Sequence, residues 1–360
     1  MEPLKEMFNK AFAAHLSTQI KSEYRGFDES SFLKAIQQQL EPLELNQRLR
    51  LFTREMKAHL PEPFPKALVI LRKTAPKTKQ GYTSLIYPDF VALYGQDHFD
   101  LSLEALKYFT VFGSSEFAIR EFLKLDFKKT MKHMEVWAEN KNEHVRRLSS
   151  EGCRPRLPWS FKLDEVIKNP EYTLPLLSKL KEDESLYVRK SVANHLNDIS
   201  KDHPEKLVAY LKKWDLSHPH TAWIVKRACR TLIKKGDTES LNLFAFEKKP
   251  KLSLQNLKLG AKKIRIGDPL HFSFELRSQK NKPQKLAIDY KVHYRKPSGS
   301  LLPKVFKLKE VNLLPNQILS FQKKHPFQHF STRQQHPGKH VIEIQINGVI
   351  FASSEFSLVD

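Results

Sequence analysis

Across residues 1–250 apolar side chains recur at intervals of three and four, and glycine is scarce. That period buries one side of an α-helix. Leu45, Leu49 and Phe52, followed by Met56 and Leu60, form one such stripe. Phe117, Leu123 and Phe127 with Met131 and Met134 mark another. Both read as core-facing helices. Near residue 247 the pattern changes. Glu247-Lys-Lys-Pro-Lys reads as a linker, and beyond it apolar and polar positions alternate over 270–276, 286–294 and 341–346. Alternation by two marks a half-buried strand. Gly267-Asp-Pro, Pro297-Ser-Gly, Pro315-Asn and Pro337-Gly supply turns between such segments. About seven short strands in roughly 105 residues predict a β-sandwich of immunoglobulin type, without the paired cysteines of antibody domains.

The helical part carries a weak repeat. Val145-Arg-Arg, Val188-Arg-Lys and Val225-Lys-Arg stand 43 and 37 residues apart and each is expected to open a helix. Those spacings fit paired-helix solenoid repeats of the HEAT kind. The expected architecture is therefore multidomain, α then β. A HEAT-like α-helical solenoid spans 1–250, and an immunoglobulin-like β-sandwich spans 251–360. The repeat places Arg146, Arg147, Arg189, Lys190, Lys226, Arg227 and Arg230 in the first turns of helices lining a concave surface. Cations there oppose the helix dipole by about 0.3–1 kcal/mol each. An arginine–aspartate ladder between repeats can compensate, and Asp183 precedes Arg189 suitably. One residue of a doublet can join the ladder while the other faces outward. A row of outward cations would track a phosphate backbone.

Charge sharpens this reading. The net charge is +21, and residues 251–360 carry +12 of it, from 19 Lys/Arg against 7 Asp/Glu. Such an excess favours a polyanionic partner, with nucleic acid ahead of an anionic membrane. The sequence has no run of 18 apolar residues, and its N-terminus lacks the apolar core of a signal peptide. Cys153 and Cys229 are the two cysteines, far apart, which suits a reducing cytoplasm. The expected protein is a cytoplasmic monomer associated with the nucleoid.

The stretch 142–159 concentrates the chemistry. It holds Arg146, Arg147, Arg154 and Arg156, the carboxylate of Glu151 and the indole of Trp159. Asn142 can cap a short helix and Gly152 can end it, which puts Glu151 in the last turn. The helix dipole disfavours an acid there. An acid ringed by arginines, followed by a Pro-stiffened loop with a tryptophan, fits a site for an anionic ligand with reactive chemistry beside it. The bland alternative is a solvated helix end and a core tryptophan. Glu116 is a second acid, with Ser114 or Ser115 expected to cap a helix whose first turn it joins. The sequence has no Walker-type loop and no Gly-x-Gly-x-x-Gly. His325 and His329, like His336 and His340, are four apart, but Pro326, Pro337 and Gly338 keep them off a helix. No metal and no cofactor is implied.

Asn142-Glu-His-Val-Arg-Arg-Leu-Ser-Ser-Glu-Gly, followed by Arg154-Pro-Arg-Leu-Pro-Trp, resembles the signature of bacterial DNA alkylation-repair glycosylases of the AlkC type. Phe27-Asp with Phe32, Leu43-Glu-Leu and Arg48 resemble the family's N-terminal pattern. Val225-Lys-Arg-Ala-Cys-Arg-Thr-Leu-Ile-Lys-Lys-Gly-Asp resembles a late repeat. Ile288-Asp-Tyr-Lys-Val-His-Tyr and Pro303-Lys-Val-Phe-Lys resemble the immunoglobulin-like extension of one branch. Cousins in the wider superfamily have an indole near the position of Thr231, and this chain does not. The resemblance implies a monofunctional glycosylase removing cationic alkylated bases, 3-methyladenine and 3-methylcytosine, from double-stranded DNA without deep base flipping. Glu151 and Trp159 then carry catalysis, and the resemblance places the acid of Glu116 near the lesion. Arg146, Arg147, Arg154, Arg156, Arg189, Lys190, Lys226, Arg227, Arg230, Lys291 and Lys304 are the expected DNA contacts. The competing reading is a non-catalytic DNA-binding scaffold built from the same repeats.

Overall fold

In the computed structural model, which describes residues 3–330 and 333–360, the three-and-four periodicity becomes helices and the alternation becomes strands. Polar side chains start several helices. Asn9, Asp28, Asp126, Asn142 and Asp237 each accept a backbone N–H of the first turn that has no partner within the helix. The stripe in Leu45–His59 buries Leu49, Phe52 and Met56. Helices pack on their neighbours in sequence or in the next repeat. Phe127–Trp137 packs on Glu143–Glu151, that helix on Leu186–Asp202, and Leu186–Asp202 on Pro219–Ala228. No helix of the described residues is long and apolar enough to cross a membrane.

The repeat reading holds for two of the three doublets. Val145 and Val188 are the third residues of Glu143–Glu151 and Leu186–Asp202, so Arg146 and Arg189 sit in first turns. Val225 does not open its helix. Pro219 does, because its fixed φ and missing N–H suit the first helical position. Lys226 and Arg227 therefore lie in the last turn of Pro219–Ala228, where the dipole favours cations. Arg230 starts the short helix Arg230–Lys235.

The chain forms two compact units. One comprises the residues up to His203 together with Asp215–Ala228. The other comprises Pro204–Trp214 and Cys229–Asp360. In the second unit the expected linker is tied down. Glu247 forms an ion pair with Lys280 at 2.5 Å, and its backbone N–H donates to the Lys285 carbonyl at 2.9 Å. The helix Arg230–Lys235 is also bound, since Lys234 Nζ donates to the Val305 carbonyl and Gln345 Nε2 to the Lys234 carbonyl. Gly236 and Gly348 permit the closest approach, because a Cβ on Gly348 would lie 2.1 Å from Gly236 Cα. Asn347-Gly348, both at positive φ, turns one strand into the next.

Eight strands follow among the described residues: β1 (Leu252–Leu259), β2 (Lys263–Arg265), β3 (Pro269–Ser278), β4 (Gln284–Arg295), β5 (Leu301–Leu313), β6 (Ile318–Pro326), β7 (Gly338–Ile346) and β8 (Val349–Val359). They form a three-stranded sheet, β1-β3-β6, and a five-stranded sheet, β2-β8-β7-β4-β5. The inward side chains of both sheets share one core. Leu270, Phe272, Phe274 and Leu276 come from β3, Ile288, Tyr290 and Val292 from β4, and Ile342 and Ile344 from β7. His325 belongs to this core, with its ring nitrogens 3.0 Å and 2.6 Å from the hydroxyls of Tyr290 and Tyr294.

Candidate active site

Glu143–Glu151 is three turns at most, and its capped start fixes which face goes where. Asn142 Oδ1 accepts the His144 N–H at 2.8 Å, and Val145 and Leu148 are buried. Arg147 and Glu151, four apart, then share a face that lines a cleft of about 490 Å³. Glu151 is the last helical residue, as expected, and is only 5% exposed. Its Oε1 accepts from Arg154 Nη1 at 2.6 Å and faces Arg147 Nη2 at 3.6 Å. Its Oε2 accepts from Ser191 Oγ at 2.6 Å. Arg154 turns its other nitrogens to Asp198 Oδ2, at 2.9 and 2.8 Å. Asp198 Oδ1 in turn accepts Lys201 Nζ at 2.9 Å. Burial disfavours charge on Arg154, but Glu151 and Asp198 outweigh it and raise its pKa.

Arg147 joins this carboxylate to a second one. Its Nη1 donates to Ser114 Oγ at 2.6 Å and forms an ion pair with Glu116 Oε2. Ser114 Oγ donates to the same Glu116 oxygen at 2.8 Å. Glu116 does not lie in a first helical turn, because the helix that follows begins at Ile119. Ser115 is drawn inward instead, donating to the Leu106 carbonyl at 2.8 Å. The Arg147 guanidinium also lies 4.9 Å from the centre of the Tyr187 ring, a cation–π contact. Burial raises the Tyr187 phenol above its ordinary pKa.

Trp159 is not a core residue. It is 72% exposed, lines the cleft, and has φ +64°. A left-handed conformation in a bulky residue persists only where its surroundings enforce it. Arg120 provides that enforcement. Its buried guanidinium donates to the carbonyls of Gly152 at 2.9 Å and Arg154 at 2.7 Å, and also to that of Phe161. It thus ties both ends of the loop that carries Trp159. Burial pulls Arg120 down to about 10. His195 braces the same helix end, its Nδ1 lying 2.9 Å from the Ser150 carbonyl. Burial depresses its pKa to about 4, so the ring is neutral and Nδ1–H donates. Cys153, fully buried and pushed up to about 12 by burial, is inert.

The other expected DNA contacts fall into distinct environments. Arg146 grips Asp183 through two bonds of 2.6 and 3.0 Å, so it is Arg146 that forms the ladder foreseen for Arg189. Arg189 donates to the carbonyls of Asp183 and Glu184, at 2.8 and 2.7 Å. Arg156 is bidentate to Asp202 at 3.0 and 2.7 Å. The guanidiniums of Arg189 and Arg227 lie 5.9 and 5.5 Å from the Trp223 ring. Lys190 and Lys304 are exposed, and Lys304 lies over Phe306 at 5.5 Å. Lys291 pairs with Glu343 at 3.1 Å. Arg120, Ser191, Asp198 and His195 were not foreseen. Ser191, His195 and Asp198 share a face of Leu186–Asp202, spaced four and three apart, but nothing local in the sequence points that face at Glu151.

Residues 101–232 match a family model described as DNA alkylation repair enzyme, and residues 253–360 match one described as the C-terminal Ig-like domain of YhaZ. The chain is 42% identical to the protein YhaZ of Bacillus subtilis (strain 168), over 99% of this chain and 100% of that one. It is 43% identical to the alkylpurine DNA glycosylase AlkC of Pseudomonas fluorescens, whose structure was solved on DNA containing an abasic site analog. That likeness covers 100% of both chains with a TM-score of 0.97. The chain belongs to the AlkC family of DNA alkylation-repair enzymes, in the form that carries a C-terminal immunoglobulin-like domain.

Proposed function

We propose that this protein is a monofunctional DNA glycosylase. It hydrolyses the N-glycosidic bond of cationic alkylated bases in double-stranded DNA, 3-methyladenine foremost and 3-methylcytosine as the second candidate. The observation that carries the reading is Glu151, a buried carboxylate fixed at both oxygens beside an exposed, conformationally strained tryptophan. Phosphate binding alone rewards neither feature. The full-length likeness to an alkylpurine DNA glycosylase supports the same activity.

N3-methylation makes adenine a cationic leaving group, so no proton need be delivered to it. The bond from the sugar C1′ to the base nitrogen breaks, its electron pair stays on the base, and the base leaves neutral. Positive charge develops on the sugar. Glu151 faces that charge as a preorganised anion, the kind of group whose loss costs about 10²–10³ in rate. Water then bonds to C1′ and passes its proton to Glu151 or Glu116, and from there to solvent. Ser191 and Arg154 hold the Glu151 carboxylate in position throughout. The π face of Trp159 attracts the cationic base or sugar by about 1–2 kcal/mol when water is excluded. In this reading water rather than an amine is the nucleophile, which is what makes the enzyme monofunctional. Selectivity follows from charge. A neutral base gains less from the carboxylate and keeps a higher barrier, so no deep base-reading pocket is needed.

Purified protein should release 3-methyladenine from methylated duplex DNA, detected by chromatography, and leave abasic sites without strand cleavage. DNA binding with no base release would leave the scaffold reading in its place.

A further inference from the structure

Glu151 and Arg154 line the cleft, and Asp198, only 2% exposed, does not. Arg154 divides its three nitrogens unevenly between the two acids. Nη1 alone donates to Glu151 Oε1, at 2.6 Å, while Nε and Nη2 both donate to Asp198 Oδ2, at 2.9 and 2.8 Å. A guanidinium with one carboxylate before it closes two bonds on it, the stronger and better neutralised pairing. Here Asp198 takes the paired edge and leaves Glu151 a single bond. The surrounding charges are balanced. Two buried carboxylates, Glu151 and Asp198, stand with two buried guanidiniums, Arg154 and Arg120. Arg147, 3.6 Å from Glu151, is matched by its ion pair with Glu116. His195, held neutral by burial, adds no charge. Lys201 meets Asp198 Oδ1 at 2.9 Å, but its side chain is 44% exposed and water screens it.

We propose that Asp198 is a positioning residue for base release, acting through Arg154 to keep the negative charge of Glu151 available to the sugar. This inference rests on the glycosylase reading. Glu151 needs Arg154 to fix its orientation, but a guanidinium given wholly to Glu151 would cancel the charge that the reaction uses. Asp198 resolves this conflict in two ways. It holds the guanidinium so that one nitrogen reaches Glu151, and it supplies the second buried negative charge. Without that charge, two buried guanidiniums would stand with one buried carboxylate, an excess of positive charge behind a developing cation. Low-dielectric surroundings strengthen such an effect relative to water.

The test measures single-turnover release of 3-methyladenine from methylated duplex DNA by the full chain, with affinity for the same duplex alongside. Asp198→Asn keeps the shape and an oxygen to accept from Arg154, and removes the charge. Release should fall about tenfold, less than the 10²–10³ set for losing a preorganised group at the reacting atoms. Affinity should stay within about threefold, because Asp198 does not reach the surface. In the Glu151→Gln background the same change should alter release by less than about twofold, since no Glu151 charge is left to preserve. A merely structural role would slow release equally in both backgrounds. Asp198→Ser, which leaves room for a water on Arg154, carries the same comparison if Asp198→Asn does not fold. Undiminished release by the Asp198 variant, or an equal loss in both backgrounds, overturns this role and leaves the glycosylase reading standing. Absence of base release by wild type overturns the glycosylase reading, and this role with it.

Discussion

Replacing Arg120 with methionine should slow base release without weakening DNA binding. The side chain is fully buried, so it touches no DNA phosphate. Methionine fills the aliphatic space but donates nothing. The carbonyls of Gly152, Arg154 and Phe161 lose their charged donor. A buried unsatisfied carbonyl costs about 1–3 kcal/mol. Against this, the wild-type guanidinium bears a burial cost reflected in its fall to about 10, which amounts to about 3 kcal/mol that methionine does not carry. With three such carbonyls the net destabilisation is then about 0–6 kcal/mol, read from the shift of the urea midpoint. The larger effect is positional. Without Arg120 the Trp159 loop keeps the backbone bond from the Leu163 N–H to the Pro155 carbonyl, at 3.1 Å, but loses its charged tie, and a misplacement of about 1 Å near reacting atoms can cost about 10²-fold. Single-turnover release of 3-methyladenine should fall by about that factor, while affinity for duplex DNA stays within about threefold. A variant that excises at the wild-type rate would refute the role given to this arginine.

Trp159→Ala should lower excision by roughly tenfold, the scale of one desolvated cation–π contact, with no loss of thermal stability because the ring is mostly exposed; a large drop in Tm would restore the core-tryptophan reading. His195 is held neutral at about 4, below its ordinary 6.5, so on acidification the unfolded chain takes up the proton first and wild type loses up to about 3 kcal/mol between those values. His195→Gln lacks that loss, so its stability relative to wild type should rise as pH falls from 7 to 4.5 in urea titrations; a constant difference would contradict the assignment. Lys190 and Lys304 are exposed, and each replacement by alanine should flatten the slope of log affinity against log salt by about 0.9 if the residue meets a phosphate; an unchanged slope removes that residue from the interface.

The legible parts were those written in local pattern. The helical and strand periods, the Asn142 cap and the position of Glu151 at its helix end all depend on neighbours within a few residues. What failed or went unseen depends on distant partners. Val225 carries the same doublet as its counterparts, but Pro219 sets the helix start six residues earlier. Asp183 is near Arg189 in sequence yet pairs with Arg146, because adjacent repeats bring Glu143–Glu151 against Leu186–Asp202. Arg154 and Arg156 read as phosphate contacts from charge alone. In the fold Asp198 and Asp202 hold them, which makes Arg154 a support for Glu151. Arg120 lies in an ordinary-looking helix, and its role appears only when the loop folds back over it. Ser114 and Ser115 looked equivalent as caps, but burial of Ser115 left Ser114 alone to orient Glu116.

In the proposed reaction the Glu151 carboxylate stabilises the sugar cation rather than the fold or the DNA complex. Glu151→Gln keeps the size of the side chain and an oxygen to accept from Ser191 or Arg154, and removes the charge. Single-turnover release of 3-methyladenine from methylated duplex DNA by this variant, measured alongside its affinity for the same duplex, separates the two. A fall of about 10²–10³ in rate with affinity close to wild type is the expected result. Undiminished release by Glu151→Gln would contradict the account.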